Sequence, residues 1–166
     1  MFDFSPQPGT PTQELYRQLV DAAKALTEGE PDATANMANV ASLIGEFLPD
    51  LNWAGFYRIA PDKSGNADEL VLGPFIGRPA CIRIPLGAGV CGAAAASGET
   101  QLVDDVHTFP GHIACDAASR SELVVPIKRA GEVIAVIDLD SPSPSRFDEV
   151  DARGVEALAA VMAEAI

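Results

Sequence analysis

Apolar residues recur at helical spacing in two stretches near the N-terminus. Leu15, Leu19, Ala22 and Leu26 fall three or four positions apart, which predicts an amphipathic helix. Its start is expected at Thr10-Pro11, with Thr10 as N-cap, Pro11 at the first helical position and Gln13 completing a capping-box pattern. Gly29 and Pro31 end it. A second helix is expected from about Asp32, with Met37, Val40, Ile44, Phe47 and Leu48 on its buried face and Pro49 as its stop.

From Leu51 the period shortens to two. WAGFYRI (Trp53 to Ile59), ELVLGPF (Glu69 to Phe75) and ACIRI (Ala80 to Ile84) read as strands, the first two joined across the turn cluster PDKSGN. PLGAGVCGAAAASGE reads as a glycine-rich turn into a short alanine-rich helix, and TQLV as a short strand. ELVVPIK and EVIAVIDLD flank the turn Arg129-Ala130-Gly131 as a hairpin, with Pro126 marking an edge position or a bulge. The chain closes on a C-terminal helix. The expected fold is α+β: a central, mostly antiparallel sheet with N-terminal helices and a C-terminal helix packed on it.

One stretch breaks the periodicity. DDVHTFPGHIACDAASRS spans about 18 residues with turn formers throughout, long for a loop in a compact domain and typical of functional segments. It holds Cys115 among Gly111, His112, Asp116, Ser119, Arg120 and Ser121, a polar neighbourhood that favours an accessible, reactive thiol. Cys91 lies at a helix start among small residues, which suggests structural burial, although a helix N-terminus can also lower a thiol's pKa. Cys81 alternates with Ile82 and Ile84 and shares the Arg83 face of its strand.

Two strands carry further candidates. Alternation places Ile134, Val136, Asp138 and Asp140 on one side of EVIAVIDLD, so two carboxylates end an apolar face. Either they bind a cation or handle a proton, or the strand exits into solvent there. Trp53, Gly55 and Tyr57 share a face of WAGFYRI. The glycine leaves a gap between two rings roughly 13 Å apart at strand rise, either an aromatic-walled pocket or core packing.

Composition narrows the function. The 166 residues suit one domain over 1–166, with 1–9 as a flexible N-terminus, and 48% hydrophobic content argues against disorder. A net charge of −13 disfavours nucleic acid and anionic membrane surfaces, since both need Lys and Arg. MFDFSPQP carries no basic segment followed by an apolar run, so a cytoplasmic location is expected. Three cysteines without a CxxC pair fit a reducing compartment better than a disulfide scaffold. Cys81, Cys91, His107, His112 and Cys115 could supply four zinc ligands, but their spacing resembles no structural zinc motif, and no metal is expected. Three thiols suit disulfide exchange better, with an accessible attacker and a second thiol to resolve it.

The stretches NWAGFY, LVLGPFIGRPACIRIPLGAGVCG, VDDVHTFPGHIACDAASRSELVVP and IDLDSP with RFDEVD, from Asn52 to Asp151, resemble the free methionine-(R)-sulfoxide reductases, a family built on a GAF domain. The three-cysteine spacing follows the family pattern, while the PDKSGNADE turn looks longer than usual. The resemblance implies reduction of free methionine-(R)-sulfoxide to methionine, with thioredoxin as reductant, no cofactor, and a homodimer. It implies Cys115 as nucleophile, Cys81 as resolving cysteine and Cys91 as the third catalytic cysteine. Trp53 and Tyr57 match the aromatic wall of the substrate pocket, and Glu122, Asp138 and Asp140 its polar side. Glu122 is the first choice for the acid that protonates the departing oxygen, with His107 and His112 shaping the loop. The rival reading is a ligand- or redox-sensing GAF module without turnover. The chain continues only about 15 residues past the match, so a sensor would need a separate output partner. A metal-binding protein is the third reading.

Overall fold

A computed structural model describes residues 5–111, 113 and 117–166. Helices α1 (Thr12–Thr27) and α2 (Ala33–Phe47) precede strands β1 (Trp53–Pro61), β2 (Asp68–Gly77) and β3 (Arg83–Pro85). Helix α3 (Gly89–Ser97), strand β4 (Gln101–Val103) and a 3-10 turn (Val106–Thr108) lead to β5 (Ser121–Arg129), β6 (Glu132–Ser141) and helix α4 (Glu149–Ala165). The six strands form one sheet in the order β3-β2-β1-β6-β5-β4, antiparallel at every step. No helix among the described residues is long and apolar enough to cross a membrane.

Period-2 alternation divides the sheet into two packed faces. Ala54 and Phe56 of β1, Leu123 and Val125 of β5 and Ile137 and Leu139 of β6 pack with α1, α2 and α4 in the larger core. Trp53, Tyr57, Val124 and Val136 point the other way, into a smaller cluster completed by Val90, Cys91 and Ala94 of α3. Among the described residues, Tyr57, Cys91, Glu122, Asp138 and Asp140 come together on this second face.

Four local expectations change. Helix α1 begins at Thr12 with Pro11 as N-cap and no side-chain cap. Thr10 Oγ1 instead donates to the Gln7 carbonyl at 2.7 Å, because the helix starts too late for its hydroxyl to reach the first turn. A complete capping box occurs at α4, between Asp148 and Asp151.

The third strand is shorter than expected and does not include Ala80 to Ile82. Its ladder with β2 runs from Glu69–Pro85 to Val71–Arg83. Upstream, the Ile82 carbonyl still accepts from the Leu72 N–H at 2.9 Å, and the Cys81 carbonyl accepts the Tyr57 hydroxyl at 2.9 Å. Ile82 is 69% exposed while Ile84 is buried.

Ile134 does not share the face of Val136. The β5–β6 register shifts between Ile127 and Lys128, so one residue of β6 is skipped. Ile134 accordingly packs toward the helical layer and Val133 toward α3. Pro126 precedes this irregularity and lies beyond the reach of β4, which pairs only with Glu122–Val124.

The gap expected over Gly55 is filled. Trp53 stacks on Tyr57 at 5.9 Å and on Phe75 at 5.2 Å between ring centroids, far closer than strand rise alone would set them. A Cβ at Gly55 would lie 2.8 Å from the Trp53 ring and 2.4 Å from the Phe75 Cβ. Gly55→Ala is expected to cost about 1–3 kcal/mol through overpacking, measured as a lowered Tm. An unchanged Tm would show that the ring stack can shift.

Candidate active site

Sheet register brings three carboxylates together. Asp140 of β6 lies opposite Trp53 of β1 on one side and Glu122 of β5 on the other. Asp138 lies between Gly55 and Val124. Like charges on directly opposed residues destabilise a sheet, so this arrangement has a stability cost that packing does not explain. Glu122 and Asp138 are each only 6% exposed, which removes the reading in which the strand simply exits into solvent. Asp140 is half-buried beside them.

Helix α3 closes the site from above. Its first turn carries Cys91, whose thiol donates to Glu122 Oε1 across 3.9 Å. One ligand atom each from Cys91, Glu122 and Asp138 lies within 4.8 Å of the others. The small residues around Cys91 permit this approach: a Cβ at Gly92 would lie 2.5 Å from the Pro85 carbonyl oxygen. A cavity of about 30 Å³ sits among Tyr57, Cys91, Ser119, Glu122, Asp138 and Asp140, with Ile84 and Ile113 as apolar walls.

Electrostatics in the cavity are dominated by burial. Burial, followed by the charges of Asp138 and Asp140, pushes the Glu122 carboxyl well above the ordinary carboxylate range. Burial and then Asp140 do the same to Asp138. Burial and the Asp138 carboxylate also raise the Tyr57 phenol, which stays a neutral donor. The Cys91 thiol is raised too, by burial first and then by Asp138 and Glu122. The helix N-terminus therefore does not make Cys91 a ready thiolate, because desolvation outweighs the dipole.

These raised carboxyls imply a pH dependence of stability. The folded chain keeps protons that the unfolded chain releases in the ordinary carboxylate range. Stability is therefore lost as pH rises from that range toward the folded pKa. Asp138→Asn removes one such group, so its Tm should fall less than that of the parent as pH rises above the ordinary carboxylate range. An equal fall in both proteins would exclude Asp138 as a source.

The remaining candidates divide clearly. Tyr57 lines the cavity, whereas Trp53 backs it through the ring stack and donates its indole N–H to the Arg78 carbonyl at 3.1 Å. Cys81 is disulfide-bonded, and Cys91 is a free, buried thiol. Cys115 and His112 lie outside the described residues. His107 is exposed and holds Asp105 at 2.8 Å, a contact within the loop that lowers the Asp105 carboxyl. Cys81, Cys91 and His107 form no ligand cluster among the described residues. Ser119 is a cavity residue that sequence reading missed. It is 4% exposed and accepts a hydrogen bond from Asn52 Nδ2 at 3.0 Å. Its position in the polar loop, two residues before β5, was the available signal.

Comparison with known proteins supplies a family. The GAF domain family model matches residues 34–166. Protein YtsP of Bacillus subtilis is 47% identical over 166 residues, covering 100% of this chain and 99% of its own. The free methionine-R-sulfoxide reductase of Escherichia coli is 47% identical over 147 residues, covering 89% of this chain and 86% of its own. Among solved structures, free methionine-R-sulfoxide reductase from Neisseria meningitidis in complex with its substrate is 41% identical with a TM-score of 0.88. That match covers 99% of this chain and 93% of the other. The α+β architecture is thus that of a GAF domain, and the chain belongs to the free methionine-R-sulfoxide reductase family.

Proposed function

We propose that this chain reduces free methionine-(R)-sulfoxide to methionine by thiol chemistry. The observation that carries the reading is the buried Glu122–Asp138 pair on the cavity wall, two carboxyls whose hold on a proton is strengthened by burial, beside a neutral Tyr57 phenol. Sulfoxide reduction needs a proton for the departing oxygen, and a carboxyl raised by burial can supply it near neutral pH. A cavity rich in carboxylates also suits the ammonium of a free amino acid, a group that a residue within a peptide lacks. Tyr57, with Trp53 behind it, forms the side suited to the terminal methyl.

The Cys115 thiolate attacks the sulfoxide sulfur. Oxygen passes to the cysteine with a proton from Glu122, and methionine leaves while Cys115 becomes a sulfenic acid. The Cys81 thiol then condenses with the sulfenic acid, forming a disulfide and releasing water. The dithiol of thioredoxin reduces that disulfide by exchange and is itself oxidised. The disulfide at Cys81 and the free thiol at Cys91 support this division of roles.

Two measurements test the scheme. With a thioredoxin system, the free R epimer should be consumed while the free S epimer and peptide-bound sulfoxide persist. Absence of turnover with all substrates would favour a ligand- or redox-sensing GAF module. Cys81→Ser should retain one turnover per chain but lose thioredoxin-driven recycling by about tenfold or more. Undiminished recycling would assign the resolving step to Cys91.

A further inference from the structure

We infer that Cys91, Glu122 and Asp138 form a binding site for a soft divalent cation of the zinc or cadmium class, and that the cation excludes the substrate. The proposed reduction leaves the Cys91 sulfur without a direct task. Yet this sulfur sits 3.9 Å from Glu122 Oε1, and the two share a 4.8 Å cluster with an Asp138 oxygen. Zinc takes thiolate sulfur at about 2.3 Å and carboxylate oxygen at about 2.0–2.2 Å, which puts neighbouring tetrahedral ligands about 3.3–3.6 Å apart. The three groups therefore need only small side-chain movements to close on one ion.

A separate observation points to a ligand. Asp138 Oδ1 is buried in the cavity wall and has no hydrogen-bond partner among the described residues, an arrangement that is costly unless something donates to it or binds it. The cavity volume of about 30 Å³ accommodates an ion with one water. Asp140 adds negative charge beside the cluster without being required as a ligand. The thiolate selects for softness: magnesium and calcium prefer all-oxygen sites, whereas zinc and cadmium take sulfur. Binding releases the Cys91 thiol proton and any carboxyl protons to solvent, with no change of oxidation state. Exclusion of substrate rests on the proposed function, because Glu122 and Asp138 serve both occupants. The cation site itself does not.

The test uses the full chain in its oxidised form, with Cys81 in its disulfide and Cys91 as the free thiol, without thiol reductant. Cadmium chloride is titrated while the cadmium–thiolate charge-transfer absorbance is followed, and equilibrium dialysis gives the stoichiometry. One cadmium per chain with a saturable thiolate band is expected. Cys91→Ser should lose the band, and Asp138→Asn should weaken binding about tenfold or more. Absence of a saturable band, or an affinity indifferent to Asp138→Asn, would overturn the site. If a variant does not fold, zinc should still raise the parent protein's Tm by linkage, and an unmoved Tm counts against the site. Where the protein turns over free methionine-(R)-sulfoxide, that compound should raise the apparent Kd for cadmium. An unmoved Kd in active protein would refute exclusion, whereas absence of turnover would refute the proposed function and leave the cadmium titration decisive.

Discussion

Cys115→Ser is expected to lower kcat/KM for free methionine-(R)-sulfoxide by about 10³-fold or more, because a serine hydroxyl does not replace a thiol that must both attack sulfur and accept oxygen. The other two cysteines are poor substitutes. Cys91 is buried, and its thiol is pushed up by desolvation and by two neighbouring carboxylates. Cys81 occupies a disulfide, as a resolving residue does at the end of a cycle. Cys115 lies outside the described residues, so its assignment rests on its polar sequence neighbourhood and on the family resemblance. The variant should still bind the sulfoxide in equilibrium dialysis, because Tyr57, Glu122, Asp138 and Asp140 remain. Near-normal turnover would remove Cys115 as nucleophile.

Glu122→Gln should slow methionine formation in single turnover by a factor on the order of 10². Glutamine keeps the shape and a hydrogen-bonding amide but has no proton to give. The parent holds its proton because burial and the charges of Asp138 and Asp140 disfavour ionisation. Activity should therefore fall as pH rises through the folded pKa of the Glu122–Asp138 pair, which titrates as a unit. The glutamine variant should lose the steepest part of that fall. A merely structural role would leave the pH profile in place and alter only amplitude or Tm. An unchanged rate of methionine formation would transfer the proton to Asp138 or Asp140.

Much of the fold was legible because its elements are strongly periodic. Residues such as Met37, Val40 and Ile44 occupy one helical stripe, and the alternation of Phe56, Leu123 and Ile137 with Tyr57, Val124 and Val136 defines two sheet faces. Errors arose where local signals compete with tertiary ones. Thr10-Pro11 has the composition of a helix start, but Thr10 bonds to Gln7 instead. Ala80 to Ile82 alternates like a strand, but the ladder with β2 pairs Arg83 to Pro85, and the Cys81 carbonyl bonds the Tyr57 hydroxyl. The bulge between Ile127 and Lys128 shifts Ile134 to the opposite face, a displacement that composition does not encode.

By itself, the sequence determined the α+β class, the order of helices and strands, the family, and the candidate residues Cys81, Cys91, Cys115, Glu122, Asp138 and Asp140. These follow from periodicity, turn chemistry and motif, all of which are local. Tertiary structure alone decided that Glu122 of β5 opposes Asp140 of β6, that Asp138 is buried beside them, and that α3 brings Cys91 to within 3.9 Å of Glu122. It also decided that Trp53 stacks behind Tyr57 and that Ser119 reaches the cavity. The physical reason is that protonation state and ligand geometry depend on burial and on charges distant in sequence. Those quantities exist only once strand register and helix packing have brought the groups together.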